Sequence, residues 1–296
     1  MKNLEDLPND AYELKILEDL PNDVYDLFDP NKQHEASEEL LDEMCANLKD
    51  ILRSRLARAP DRSGGAIRFS ALGKPDRQIW FDSRPDPSRD ESLEPKTFLK
   101  FLYGDVIEQL YLYLAKEAGH KVSDEQREVE VDGVKGHIDA IIDGVVVDLK
   151  SASSFGYKKF QHNTVEEDDP FGYVAQLAGY ANVLTPGQPA AWWGVDKSSG
   201  DNCISPLSSM VISYHKPEDR IKELKEVVAS EEIPPLCHEP VPDGKSGNMK
   251  LPVACSYCKY KRRCHPDLRT FIYSTGPRFL TTVAKEPNVP EVTNEV

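Results

Sequence analysis

No run of about 18 apolar residues occurs anywhere in the chain, which excludes a transmembrane helix of ordinary length and any expected membrane partner. The opening stretch MKNLEDLPND is acidic and has no apolar h-region, so it does not read as a secretory signal, and a reducing, cytoplasmic setting is expected. Cysteine is sparse, six in 296 residues. Positive charge is also short, with 36 Lys and Arg against 51 Asp and Glu and a net of −15. That balance argues against a nucleic-acid partner until its distribution is considered. Residues 1–50 hold 15 acidic and 4 basic side chains, a net of −11, which leaves −4 for the remaining 246.

The acidic part contains a repeat, LEDLPNDAY at 4–12 and LEDLPNDVY at 17–25. Two copies are too few for a solenoid. Acids interleaved with Leu, Tyr and Val suit a protein-partner segment, a mimic of nucleic-acid charge, or a disordered solubilising tail. Residues 35–59 carry Leu40, Leu41, Met44, Leu48, Ile51, Leu52 and Leu56 at helical spacing. The break PDRSGG at 60–65 then marks a boundary. The expected organisation is an acidic segment with repeat and helix over 1–62, a core over 63–234, a cysteine-rich lobe over 235–272 and a flexible tail over 273–296.

The most informative stretch is GVKGHIDAIIDGVVVDLKS, residues 133–151. Asp143-Gly144 between β-branched residues signals a two-residue type I′ turn. Counting back from it sets Ile142 against Val145, Ile141 against Val146, Ala140 against Val147, Asp139 against Asp148, and His137 against Lys150. One face is then apolar, and the other gathers His137, Asp139, Asp148 and Lys150. Like charges directly opposite at roughly 5 Å destabilise a sheet unless a cation lies between them, and a hard divalent ion suits two carboxylates. The competing reading is an ordinary hairpin with a solvated charged face.

Asp139, followed by Asp148-Leu149-Lys150, resembles the PD-(D/E)XK nuclease motif, with Gly136-His137-Ile138 where the motif has its nominal proline. Upstream, residues 97–119 read as an amphipathic helix containing Gly104 and Glu108. Downstream, residues 171–184 read as a helix in which Gln176 and Tyr180 share a face. These resemble the Gly-x-x-x-(His/Glu) and Gln-x-x-x-Tyr motifs of the RecB-like exonuclease branch, in that family's order. The stretch FSALGKPDRQIW at 69–80 loosely resembles a segment that supplies a first cluster cysteine in iron-sulfur members. Ser70, Leu72, Arg77 and Trp80 fit, but no cysteine stands near Lys74 or Pro75.

Cys255, Cys258 and Cys264 have the spacing of the C-terminal cysteine group in those enzymes, and Cys237 precedes them as a candidate fourth ligand. Four thiolates suit tetrahedral zinc or a [4Fe-4S] cluster. The spacing does not choose between them, although the resemblance leans toward iron-sulfur. Two disulfides are the alternative, and His238 and His265 are reserve ligands. Cys45 and Cys203 read as packing residues. Lys259, Lys261, Arg262 and Arg263, interleaved with Tyr257 and Tyr260, suit phosphate contact and base stacking or, equally, a solvated loop.

The resemblance implies an α/β restriction-endonuclease-like core, a central mixed sheet flanked by helices, with a four-cysteine metal lobe. It implies DNA cleavage with Mg²⁺ or Mn²⁺ held by Glu108, Asp139, Asp148 and the Leu149 carbonyl. Lys150 would be catalytic with the three acids, and Gln176, Tyr180, Arg77 and the basic cluster would bind substrate. An exonuclease is expected, similar to bacteriophage and CRISPR-associated RecB-like enzymes, acting in the host cytoplasm if phage-encoded. A structure-specific or restriction-type endonuclease and an inactive nucleic-acid or partner-binding adaptor are the alternatives. Further strands are expected at 188–195 and 208–214, a helix at 216–229, and a loop bordering the active site at 82–95.

Overall fold

The computed structural model describes residues 9–57, 67–91 and 95–292, with side chains from residue 16 onward. The first half contains helices α1 (Asn9–Asp26), α2 (Glu38–Leu56), α3 (Asp76–Asp82) and α4 (Pro95–Glu117), then strands β1 (Val122–Ser123), β2 (Glu128–Val131), β3 (Val134–His137), β4 (Ala140–Ile142) and β5 (Val145–Ala152). Next come α5 (Ser154–Gln161), α6 (Tyr173–Leu184), β6 (Ala190–Asp196), β7 (Asn202–Leu207), α7 (Ser209–Tyr214) and α8 (Pro217–Ala229). The chain ends with β8 (Val241–Pro242), β9 (Met249–Lys250), α9 (Val253–Ser256), α10 (Lys261–Cys264), β10 (Arg269–Tyr273) and β11 (Gly276–Thr282). Among the described residues two compact units result, one of 9–57, 67–73 and 95–223, the other of 74–91 and 224–292.

The first unit is built on a five-stranded mixed sheet in the order β1-β4-β5-β6-β7. β5 and β6 run parallel, and the other neighbours are antiparallel. Val145, Val146 and Val147 open β5, Trp192, Trp193 and Val195 lie in β6, and every residue of β6 is buried. Alternation sorts their side chains. Val145, Val147, Leu149, Ala191, Trp193 and Val195 join Leu112, Leu114 and Ala115 of α4 in one cluster, where Tyr111 meets Trp193 edge-on at 5.2 Å. Trp192 points the other way, toward Phe160 of α5 at 6.3 Å. The expected core of a central mixed sheet flanked by helices is therefore present.

The acidic segment is not separable from this unit. Leu17, Leu20 and Val24, all from the second repeat copy, are buried in the same cluster. Each such side chain contributes roughly 1.5–3 kcal/mol when removed from water. The Tyr25 hydroxyl accepts the Asn202 N–H at 2.9 Å, and Asp23 lies 3.1 Å from His120. The solubilising-tail and charge-mimic readings thus fail for residues 17–25, because the acids form the outer face of a helix whose inner face is core. The first repeat copy lies largely outside the described residues. α2 has no buried residue and is held to α4 by Lys116 on Glu43 at 2.8 Å and Arg55 on Asp105 at 2.7 Å.

The strand expected at 208–214 is a helix. The Ser208 hydroxyl caps it by accepting the Val211 N–H at 3.2 Å, and the edge strand is instead β7, six residues earlier in the chain at its start. Capping wins because MVIS has no two-residue alternation to place one face in a core.

In the second unit β10-β11-β9-β8 form an antiparallel sheet. The tail expected to be flexible from 273 is therefore ordered strand through β11. Beyond it Val292 donates to Thr270 O at 2.8 Å, and Arg269 binds Glu286 and Glu291, each at 2.6 Å. The boundary expected at 234/235 moves as well, because 74–94 groups with the C-terminal residues. Trp80 Nε1 donates to Ser230 O at 2.9 Å, Arg77 to Pro234 O at 2.6 Å, and the Tyr260 hydroxyl to Asp82 at 2.6 Å.

Candidate active site

The β4–β5 hairpin forms in the register counted from its turn, with Ala140, Ile141 and Ile142 opposite Val147, Val146 and Val145. Asp143 and Gly144 both have positive φ, 51° and 88°, as a type I′ turn requires. The pairing stops at Ala140. A second Asp-Gly turn, Asp132-Gly133 with φ of 50° and 79°, folds β3 back on β2, so His137 sits opposite Glu128 and not Lys150. Asp139 is thereby freed from the ladder. Its Oδ2 accepts the Leu149 N–H at 2.6 Å.

Parallel pairing with β6 holds the C-terminal half of β5, placing Asp148 beside Trp192 and Lys150 beside Gly194. Asp148 is buried, and its Oδ2 lies 2.6 Å from Lys150 Nζ. That oxygen receives charge from the ammonium but no well-directed hydrogen bond. Lys150 Nζ also stands 5.0 Å above the Tyr173 ring of α6. On α4, Glu108 accepts the Gln126 amide at 2.7 Å.

Burial and neighbouring charge set the protonation of this group. Burial raises the Glu108 carboxyl to about 7, with Asp148 and Asp105 adding to the rise and Lys150 opposing it. Burial, then Asp148 and Glu108, push Asp139 well above the usual carboxylate range. Burial works against the Lys150 charge, but Asp148 and Asp139 outweigh it and its pKa is raised. Three acids thus crowd around one cation.

Tyr180 is buried and stacked on Phe69, centroids 4.9 Å apart. Gly136 is what permits this, since a Cβ there would lie 2.3 Å from Phe69 Cβ and 2.7 Å from the Tyr180 hydroxyl. That hydroxyl is hydrogen-bonded to Gln176, and burial foremost raises its pKa to about 12.

A family model described as the PD-(D/E)XK nuclease superfamily matches residues 70–265. The chain belongs to the PD-(D/E)XK nuclease superfamily. Membership implies a metal-dependent nuclease. A solved structure titled "Crystal structure of SSO0001" aligns with 76% of this chain and 97% of its own, at 16% identity and a TM-score of 0.37. No curated protein matches.

In this PD-(D/E)XK nuclease the residues fit a divalent cation by their chemistry: clustered carboxylates, two of them raised by burial and by one another, and one buried oxygen lacking a proper donor. Among the described residues, however, no three His, Cys, Asp or Glu side chains already form a metal cage. The acidic oxygens are turned to other partners, Asp139 to the Leu149 N–H, Glu108 to Gln126 and Asp148 to Lys150.

Arg77, Lys259, Lys261, Arg262 and Arg263 belong to the second unit. Lys261 is buried against Glu91, Arg262 also binds Glu91, and Arg263 pairs with Asp90. Lys259 lies 3.4 Å from Asp82. Within the second unit, the stretch 82–91 supplies acids to this basic cluster. Cys237, Cys255, Cys258 and Cys264 are unbridged. Burial and then the other three thiols raise Cys255 to about 12, and burial raises Cys258 to about 11. Backbone N–H groups of Gln78 and Tyr260 point at Cys237 and Cys258 respectively.

Two neighbours of the acidic group were not anticipated. Tyr173 had a signal, standing one helical turn before Gln176. Gln126 had none, since its position depends on a positive φ of 51° and on its N–H donating to Asp139 O at 3.1 Å.

Proposed function

We propose that this chain is a Mg²⁺- or Mn²⁺-dependent DNA exonuclease of the RecB-like kind. The observation that carries the reading is the partly buried Lys150 ammonium, 2.6 Å from the buried Asp148 and in the field of Asp139 and Glu108. Asp139, Asp148, Glu108 and the Leu149 carbonyl would hold the cation, which when bound supplies Lewis acidity and an acidified water. Lys150 is held charged by Asp148 and Asp139, so it donates from Nζ to a phosphate oxygen and offsets the negative charge that grows there during attack. Tyr173 fixes its position from beneath. Gln176, held by the Tyr180 hydroxyl one turn away, orients the strand, while Tyr180 itself supports the site from the core.

Cys237, Cys255, Cys258 and Cys264 are assigned to one structural centre, a [4Fe-4S] cluster or zinc. Burial foremost, with neighbouring thiols adding to it, raises Cys237, Cys255 and Cys258, a penalty on the thiolate that a bound metal reverses, and the two N–H groups aimed at sulfur favour thiolate. Metal analysis of anaerobically purified protein, with Cys237→Ser as the control, identifies it: loss of the metal in that variant is expected, and full retention removes Cys237 from the ligand set.

The activity test is digestion of end-labelled linear and closed circular DNA, single- and double-stranded, with Mg²⁺, Mn²⁺ or EDTA. Loss of linear substrate from its ends, abolished by EDTA, is expected. Cleavage of circles at a comparable rate would make the enzyme an endonuclease, and no cleavage under any condition would leave the adaptor reading.

A further inference from the structure

Four of the six residues 98–103, in the first half of α4, are large, apolar and exposed: Phe98, Leu99, Phe101 and Tyr103. The second half of the same helix sends Leu112, Leu114 and Ala115 into the core. Apolar residues scattered singly over a surface need no special account, but a contiguous group marks a binding surface. Two of the four act as one. Phe98, 55% exposed, and Phe101, 45% exposed, meet edge-on with ring centroids 6.2 Å apart.

Helical spacing ties this pair to the acidic group. Phe101 precedes Glu108 by seven residues, two turns, and so shares its face about 10 Å farther along the axis. Leu99 and Tyr103 turn to the opposite side. Lys100, Gly104 and Glu108 follow one another at intervals of four. The middle position has no side chain, and a Cβ there would lie 3.8 Å from Oγ of Ser151, the neighbour of Lys150 in the chain. The charge of this stretch also suits a phosphodiester chain. Residues 95–107 contain one acid, Asp105, which Arg55 binds at 2.7 Å, whereas Lys100 is exposed. The basic cluster at 259–263, by contrast, is held by Asp82, Glu91 and Asp90.

On the reading of the chain as a nuclease, we propose that Phe98 and Phe101 form a stacking platform for unpaired bases of the strand that is cleaved beside Glu108, with Lys100 contacting its backbone. Exposed rings flanked by a cation, on the Glu108 side of the helix, suit a single nucleic-acid strand, because every base offers a π-face and every nucleotide a charge. An apolar contact between two copies of this chain would have no use for Lys100.

The test uses the full chain with Mn²⁺ and end-labelled oligothymidylates, each carrying one abasic site at a different distance from the end. In initial rates, an abasic site at one or two positions should raise the wild-type KM roughly 5- to 100-fold. The kcat should change little, because stacking binds ground and transition states alike. Phe101→Ala should raise KM on the intact strand by a similar factor and become indifferent to abasic sites at those positions. Phe101→Trp should regain the sensitivity, and Leu99→Ala, on the opposite side of the helix, should keep the wild-type pattern. If wild type cleaves DNA but is insensitive to every abasic site, or cleaves duplex alone, the platform is wrong and the nuclease reading stands. The same holds if Phe101→Ala keeps the wild-type pattern, including the case in which it sediments as a monomer where wild type is a dimer, which would make the rings a contact between two copies. If wild type cleaves no DNA, the nuclease reading falls and the platform with it.

Discussion

Asp139 Oδ2 accepts the Leu149 backbone N–H at 2.6 Å, so the two acids of the hairpin do not simply face one another as a cross-strand pair. The amide holds one carboxylate in place while Lys150 holds the other. The site is assembled with its negative charge anchored at both ends, and its behaviour without metal follows from that.

Lys150→Ala should reduce cleavage by about a hundredfold or more and should also destabilise the metal-free protein. Removing one partner of a fully buried ion pair costs on the order of 3–5 kcal/mol; Lys150 is partly exposed, which makes that range an upper bound, and the remaining partner is crowded by Asp139 and Glu108. Urea denaturation in EDTA measures this. Stability equal to wild type would show that Lys150 does not neutralise the acidic group.

The pH dependence of the metal-free protein has a definite sign. Folded Glu108 titrates at about 7 and Asp139 well above its usual range, both higher than in the unfolded chain. Their favourable contribution is therefore complete below about pH 4 and is lost as pH rises through 7. In EDTA the carboxyl contribution to stability should fall between pH 5 and 8, as about 3 kcal/mol per two units of pKa shift at most. Mn²⁺ should reverse the fall, and Glu108→Gln should flatten it. An unchanged slope in Glu108→Gln removes that residue from the account.

Gln126→Ala should weaken divalent binding by about 10- to 100-fold, the usual effect of removing a partner that orients a metal ligand. The lost contact is the 2.7 Å amide bond to Glu108. Calorimetric titration with Mn²⁺, alongside urea denaturation, separates this from general damage. Unchanged affinity would mean that Glu108 either needs no orienting or is not a ligand.

Leu20→Ala should destabilise the protein by about 2–5 kcal/mol, because Leu20 is fully buried in the main cluster. Deleting residues 1–26 should be worse. A truncated protein melting like wild type would restore the view of this segment as a dispensable tail.

Much of the site was legible because its signals are local. Asp-Gly turn chemistry fixed the β4–β5 register, the apolar alternation identified the buried strand, and helical spacing placed Glu108, Gln176 and Tyr180 on helices that the structure confirms as α4 and α6. The same kind of signal was present at Asp132-Gly133. There it redirects β3 to β2, and counting from Asp143-Gly144 alone carried the ladder too far.

The sequence by itself determined the turn, the strand and helix periodicities, and the order of the acidic and basic residues along them, since each depends on neighbours a few positions apart. Only the tertiary structure decided which charges are spent on one another. Lys261, Arg262 and Arg263 look available for phosphate until Asp90 and Glu91 meet them across some 170 residues. Leu17, Leu20 and Val24 look like part of an acidic tail until β5, β6 and α4 supply a surface for them. Gln126 reaches Glu108 only because its backbone takes a left-handed turn that no residue pattern announces. Charge pairing, burial and such backbone reversals depend on which distant segments meet, and that is settled by packing of the whole chain.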